Sequence, residues 1–386
     1  MRVAVFHSRY LSGPASGENR VLGDDIKLLT DAGHEVRSWS PSPGTTPKEQ
    51  AKAAVQAVWS VEAVARVREL VGTWGAEIVH CHNLFPLLSP AVIREASAQG
   101  AGVVMTLHNY RLMCLAGSFH RDGHTCEECL GRAPWRGVVH RCYRGSALAS
   151  GVLATSLITH RSMNTFDRVD RFIAVSGFVR QKHVEAGISA ERIGVATQFA
   201  WPTTRREGPG DYFLYVGRLT REKGVNSLVE AWTQDMGRLL VVGDGPEMAH
   251  LRAVASPAVE FHGLVSGDEV PALLCGARAL LVPSLANDPA PRSVSEAYAA
   301  GVPVVASRRG GLPEMVRDGE SGLLVTAGVA DEWAIAVGRL SDDEEAIRLG
   351  AGAWRLWSET HSPEHSLERL EKAYATALEH RGHAAC

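Results

Sequence analysis

The sequence predicts an α/β protein made of two parallel-sheet domains, on three observations. Short β-branched runs alternate with longer helical patterns from one end of the chain to the other, and strands that alternate with helices pair in parallel. Several of these runs end at a glycine or a histidine, so chemistry-bearing residues gather at one sheet edge, where open α/β sheets bind ligands. At 386 residues the chain exceeds what one hydrophobic core usually supports, and residues 197–211 carry Pro202, Gly208, Pro209 and Gly210 among charged residues, as an interdomain linker does.

In chain order, residues 2–7 read as a first strand, followed by a loop with Gly13, Pro14 and Gly17, a helix over 20–32 and a strand over 34–40. That glycine loop brings backbone N–H groups to a helix start, so Gly13 and Gly17 are candidate ligand-binding positions. The dinucleotide fingerprint G-x-G-x-x-G is absent. Residues 41–50 read as loop and 51–73 as one Ala- and Val-rich helix. Strands over 77–80 and 103–107 run into His80-Cys81-His82-Asn83 and His108-Asn109-Tyr110-Arg111. Hydrogen-bonded surface positions are expected for His80 and His82. A strand over 172–175 closes the first half. The second half opens with a strand over 212–216, and further strands follow at 239–242, 259–263, 279–282 and 302–306. The last helix begins near Ser362, Pro363 and Glu364, a good cap, a good first residue and a charge that suits the dipole.

Forty Lys and Arg against forty-three Asp and Glu leave a net charge of −3, which argues against a dedicated nucleic-acid partner and allows at most peripheral membrane contact. No stretch approaches the roughly 20 apolar residues of a membrane helix. The N-terminus reads as a strand, not a signal peptide, and seven unevenly spread cysteines suit reduced thiols, so a cytoplasmic location is expected.

The densest chemistry lies in residues 281–314. Asp288 and Glu296 stand eight positions apart with Pro289, Pro291 and Arg292 between them, and a helix, a buried strand and the pair Gly310 and Gly311 follow. Ser293-x-x-Glu296 taken alone is a capping box, which accounts for neither Pro291 and Arg292 nor the glycine turn. Arg218 and Lys223 lie five apart in the turn after the strand at 212–216, between Gly217 and Gly224, and Gly243 follows the next strand. Cations at a helix start stand at the wrong end of its dipole, which points to a bound anion. Cys114, Cys126, Cys129 and Cys142 form C-x11-C-x2-C-x12-C; four thiolates suit a structural zinc, an iron–sulfur cluster uses the same ligands, and four unligated thiols are the plain alternative.

The stretch 281–314 resembles the donor-sugar site of the retaining glycosyltransferases of family 4, whose pattern is Glu, seven residues, Glu, then a helix and a Gly-Gly-x-Pro-Glu turn. Pro291, Arg292, Glu296, Ala297, Ala300, Gly301, Pro303, Gly310, Gly311, Pro313 and Glu314 carry the likeness, and Asp288 departs from it in place of the first Glu. The likeness spans nearly the whole chain, and a branch of the family carries a similar four-cysteine insertion. It implies the GT-B architecture, two Rossmann-like domains facing across a cleft: an acceptor-binding domain over 1–198, a donor-binding domain over 199–361, and a last helix over 362–380 packing back on the first. By resemblance, His108 contacts the donor sugar, Arg218 and Lys223 grip the diphosphate, Glu296 holds the ribose and Asp288 the transferred sugar. Gly217, Gly243, Pro291, Arg292, Gly310 and Gly311 line the donor. With no Asp-x-Asp in the chain, no catalytic metal is expected. The implied activity is retaining transfer of a hexose-type sugar from a UDP-, GDP- or dTDP-linked donor to a glycan, lipid-linked or natural-product acceptor. A GT-B sugar-nucleotide epimerase and a non-catalytic nucleotide-sugar-binding protein are the alternatives.

Overall fold

The computed structural model describes residues 1–10 and 17–384. The chain divides into two compact units: Met1–Phe119, Cys126–Ala196 and the chain from Leu367 make the first, and His120–Thr125 with Thr197–Ser366 make the second.

In the first unit the strands are β1 (Arg2–Phe6), β2 (Glu35–Trp39), β3 (Ile78–Cys81) and β4 (Gly102–Leu107). After the short antiparallel hairpin of β5 (His120–Arg121) and β6 (His124–Thr125), which counts with the second unit, come β7 (Arg171–Ala174) and β8 (Ile193–Val195). The sheet runs β2-β1-β3-β4-β7-β8, parallel throughout. Every residue of β3 and β4 is buried, without alternation, which is what a parallel strand covered on both faces requires. The edge strand β2 is largely exposed and correspondingly polar.

Residues 51–73 do not form the single helix expected. Thr46 and Glu49 close a capping box that starts a helix at Pro47–Val58, and a second helix, Val61–Arg68, begins after Ser60. The break has a local cause. Ser60 accepts from the Ala63 N–H as the cap of the second helix, while its own buried N–H donates to Ser89 Oγ at 3.0 Å. The C-terminal helix Pro363–Ala384 buries Leu370, Ala373, Tyr374 and Ala377 on one face. Its Arg381 Nε donates to Asp170 Oδ2 at 2.8 Å, on the segment that enters β7.

The second unit is built from β9 (Tyr212–Val216), β10 (Leu239–Val242), β11 (Val259–Gly263), β12 (Ala277–Val282), β13 (Val304–Ser307) and β14 (Gly322–Val325). Its order is β11-β10-β9-β12-β13-β14, again parallel throughout. Leu239, Leu281, Val305, Trp232 and Trp333 centre its core. Burying side chains of that size contributes about 1.5–3 kcal/mol each. The chain leaves β9 toward β10 on one side and returns at β12 to run the other way. The strand order therefore reverses between β9 and β12, and such a switch point leaves a crevice at the carboxyl ends of the two strands. In the first unit the reversal lies between β1 and β3.

Among the described residues no helix is long and apolar enough to cross a membrane.

Candidate functional site

Two groups of sequence-predicted residues lie at these switch points, one in each unit. In the second unit the turn after β9 carries Arg218 and Lys223, and the loop after β12 carries Asp288. Lys223 Nζ donates to Asp288 Oδ2 at 2.6 Å, and Ser284 Oγ donates to the same oxygen at 2.9 Å. Asp288 is buried, with its side chain 6% exposed, whereas that of Lys223 is 29% exposed. Arg218 is separate from this pair: its side chain is 64% exposed and its ion pair with Glu222, at 3.7 Å, is loose. One cation of the turn is thus tied to the buried carboxylate, and the other reaches into solvent. The two loops are also tied by backbone, since Leu285 and Ala286 N–H groups both donate to the Glu222 carbonyl. Tyr215 beneath them donates to the Arg218 carbonyl at 2.8 Å. Burial chiefly, and the nearby Asp288 charge next, raise its phenol above the usual range.

The glycine turn after β13 closes on the same loop. Gly311 N–H donates to the Asp288 carbonyl at 2.8 Å. Gly310 sits at φ +58, and a Cβ there would lie 2.3 Å from the Asp288 oxygen, so only glycine permits this approach. A second close approach joins the loops after β9 and β10, where a Cβ on Gly243 would meet the Gly217 oxygen at 1.9 Å. The helix Arg292–Ala299 begins at Pro291, and no side chain caps it. Ser293 therefore lies inside the helix, and the expected capping box does not form. Glu296 instead accepts from Arg292 Nε at 2.8 Å, with both side chains about nine-tenths buried.

In the first unit β1, β3 and β4 deliver four histidines to one place. His7 follows β1, His80 lies in β3, His82 just beyond it, and His108 beyond β4; all four are buried, so the surface positions expected for His80 and His82 are not found. His82 Nδ1 and His108 Nε2 are 2.8 Å apart, with the rings stacked. His80 is closed off between Tyr374 Oη at 2.9 Å and Thr106 Oγ1 at 2.7 Å, which is a structural role. Burial pushes the His80 imidazole down to about 3 and that of His108 down to about 4. Beside His108, Asn109 Nδ2 donates to Glu18 Oε1 at 2.8 Å, and Tyr10 donates to the other Glu18 oxygen. His108, Glu18, Asn109, Arg111 and Asn83 line one small cavity. Gly17 opens the helix Gly17–Asp31, and Gly13 lies outside the described residues.

The four cysteines do not assemble a metal site. Burial raises the Cys129 thiol, and Cys114 and Cys126 are close enough to add to that shift. Yet among the described residues no three His, Cys, Asp or Glu side chains stand where they could hold a metal ion. The backbone around them is turn-like: Cys114 N–H donates to the Tyr110 carbonyl, Cys126 N–H to that of Phe119 and Cys142 N–H to that of Gly137.

Sequence reasoning missed Ser284, Glu222, His7 and Asp25. Ser284 stands four residues before Asp288, and His7 ends a strand as His108 does; those were the available signals. Nothing local marks Asp25, which is buried on an otherwise ordinary helix.

Comparison with known proteins finds matches along both halves of the chain. Residues 15–197 match the family model described as Glycosyltransferase Family 4, and residues 210–343 match Glycosyl transferases group 1. A 2-deoxystreptamine glucosyltransferase of Streptomyces kanamyceticus is 28% identical over 82% of this chain and 82% of its own length. A GDP-mannose-dependent alpha-mannosyltransferase of Corynebacterium glutamicum is 29% identical over 45% of this chain and 42% of its own. Among solved structures, Anabaena HepE in complex with UDP and glucose superposes with a TM-score of 0.67 at 15% identity, over 97% of this chain and 100% of that one. Likeness at that identity shows the fold.

Proposed function

We propose that this chain, a family 4 glycosyltransferase domain followed by a group 1 glycosyl transferase domain, moves a hexose-type sugar from a nucleotide-diphosphate donor to an acceptor. The observation that carries the reading is the meeting of Lys223, Asp288 and the Gly310–Gly311 turn at the β9/β12 switch point, with the exposed Arg218 cation on the same turn as Lys223. The names of the relatives favour a hexose, glucosyl in one and mannosyl from GDP-mannose in the other.

Departure of a nucleoside diphosphate needs its growing charge stabilised, and preorganised cations supply this. In the proposed complex Arg218 and Lys223 hold the diphosphate, Glu296 accepts from the ribose hydroxyls, and Asp288 with the Gly311 region lies against the transferred sugar. His108 contacts the same sugar. Transfer proceeds with retention, the leaving phosphate oxygen taking the acceptor's proton on the same face, so no dedicated base is assigned. The proposal assigns no catalytic metal, since side-chain cations fill that role.

Slow hydrolysis of a panel of UDP-, GDP- and dTDP-hexoses, measured without acceptor and with a divalent chelator present, tests this. Free nucleoside diphosphate from one or two donors is expected. An interconverted nucleotide sugar would identify an epimerase, binding without turnover a sensor, and activity restored only by magnesium or manganese a metal-dependent enzyme.

A further inference from the structure

The histidine cluster contains a chain of contacts that the proposed transfer does not use. Asp25, on the helix Gly17–Asp31, places Oδ2 3.9 Å from His82 Nε2. His82 Nδ1 then meets His108 Nε2 at 2.8 Å. Both outer nitrogens, His82 Nε2 and His108 Nδ1, are buried without a hydrogen-bond partner among the described residues. Orphaned buried nitrogens are uncommon and call for an explanation. An imidazole that stays neutral carries one N–H, so a hydrogen bond between two of them forces a choice of direction.

We propose that Asp25 and His82 are positioning residues for His108, and that the protonation of Asp25 decides whether His108 Nδ1 accepts or donates a hydrogen bond. When Asp25 is ionised, its charge draws the His82 proton to Nε2. His82 Nδ1 is then an acceptor, His108 must donate from Nε2, and His108 Nδ1 is left bare. When Asp25 takes one proton from water, the acid faces a bare His82 Nε2. His82 now donates from Nδ1, His108 Nε2 accepts, and His108 Nδ1 carries the hydrogen. Each imidazole keeps one N–H throughout, so the chain takes up one proton and reverses two tautomers. The polarity of the His108 edge toward a sugar hydroxyl inverts as a result.

The surroundings permit this. Burial raises the Asp25 carboxyl to about 7, inside the range where a switch is useful. Burial holds both His82 and His108 well below their ordinary range, so neither becomes an imidazolium first. The groups facing the chain are His7 beyond β1, His80 in β3, Glu18 on the same helix as Asp25, and Tyr374 on the C-terminal helix. His7 and His80 are themselves lowered by burial and Tyr374 is raised. Glu18, bound by Asn109 and Tyr10, is the carboxylate of this set whose charge acts on His108.

The inference rests on the reading of His108 as a residue that touches the donor, and its test does not need that reading. The full chain, labelled with nitrogen-15 at histidine and free of donor, is titrated from about pH 5.5 to about pH 8.5, with His108 assigned by comparison with His108→Gln. His108 Nδ1 is expected to pass from a protonated to a bare nitrogen shift with a midpoint near that of Asp25, the ring staying neutral, and Asp25→Asn is expected to abolish the change. A His108 tautomer that is constant in the parent chain, or that still reverses in Asp25→Asn, overturns the proposal. Should Asp25→Asn fail to fold, the parent titration alone decides. Donor hydrolysis by His108→Gln at the parent rate would remove the reading of His108 and leave the spectra unaffected.

Discussion

Lys223 Nζ and Asp288 Oδ2 lie 2.6 Å apart, joining the turn after β9 to the loop after β12, and this bond sets how the donor-side residues respond to substitution. Removing Lys223 leaves Asp288 buried with Ser284 as its remaining side-chain partner. Lys223→Ala should therefore lower stability by about 2–4 kcal/mol, the partial exposure of the lysine keeping the figure below that of a fully buried pair. In Lys223→Met/Asp288→Asn much of the loss should return, with a coupling of about 1–3 kcal/mol in a denaturant double-mutant cycle. Additive losses would mean that the contact is incidental.

Gly310→Ala tests the backbone approach. A Cβ at φ +58 and 2.3 Å from the Asp288 oxygen cannot be accommodated without moving one loop. A strain of about 1–3 kcal/mol is expected, with weakened donor binding and a fold otherwise retained. Calorimetric titration with the nucleoside diphosphate reads it, and unchanged affinity would separate this turn from the site.

Asp288→Glu restores the length that the family pattern carries at this position. Its Oδ2 is held by Lys223 and Ser284, so an added methylene must displace the carboxylate relative to both and to the sugar it is proposed to meet. One misplaced buried hydrogen-bonding group costs about 1–3 kcal/mol, enough to reorder competing sugars by roughly ten- to a hundredfold. The measurement is the ratio of kcat/KM for two donors sharing one nucleotide. If the ratio is unmoved, Asp288 does not read the sugar.

Acid should unfold the first unit. The imidazoles of His80, His108 and His183 are lowered by burial to about 3, 4 and 4, and His82 is lowered as well. Unfolded histidines titrate near 6.5, so between that value and about 4 the unfolded chain binds protons that the folded chain does not. Stability from these groups is complete above 6.5 and falls as pH falls through the window. Asp25, raised to about 7, acts in the opposite sense, because the folded chain keeps a proton there that the unfolded carboxyl has lost. Four histidines against one aspartate leave the histidines dominant, at about 1.4 kcal/mol per pH unit for each net proton. A melting temperature that drops steeply from pH 6.5 to pH 5 is expected, and an unchanged one would contradict the burial of these neutral rings.

How much of this was legible in the sequence depended on the range of the interactions. Strands β9 and β10 begin and end where the apolar runs do, because a buried parallel strand needs nothing beyond its own composition and a glycine or polar stop. Strand β8 is only three residues long and part-exposed, and β14 opens on a glycine just after the charged stretch 317–320, so neither stands out as a run. The break at Ser60 depends on Ser89, far along the chain, and no periodicity announces it. At the site, the glycine turn and the spacing of Asp288 and Glu296 were visible as a local pattern. Glu296 reads as a cap by spacing alone, yet the helix starts at Arg292, two residues earlier than that cap requires. The histidine cluster was half visible: strand ends marked His80, His82 and His108, but the meeting of His82 with His108 and with Asp25 is a product of topology. The cysteine spacing suggests a metal centre, and among the described residues no three ligand side chains stand where they could hold an ion.

The most direct test of the central claim uses Arg218, because its side chain is 64% exposed and its pair with Glu222 is loose, so removing it should leave stability nearly untouched. Release of free nucleoside diphosphate from the preferred donor is measured for the parent chain and for Arg218→Ala, with folding of both checked by thermal melting. A lost charge-assisted contact to the leaving diphosphate costs about 2–4 kcal/mol, so the variant should be slower by roughly thirty- to a thousandfold at equal stability. Equal rates of release from the two proteins would contradict the assignment of this turn as the diphosphate grip.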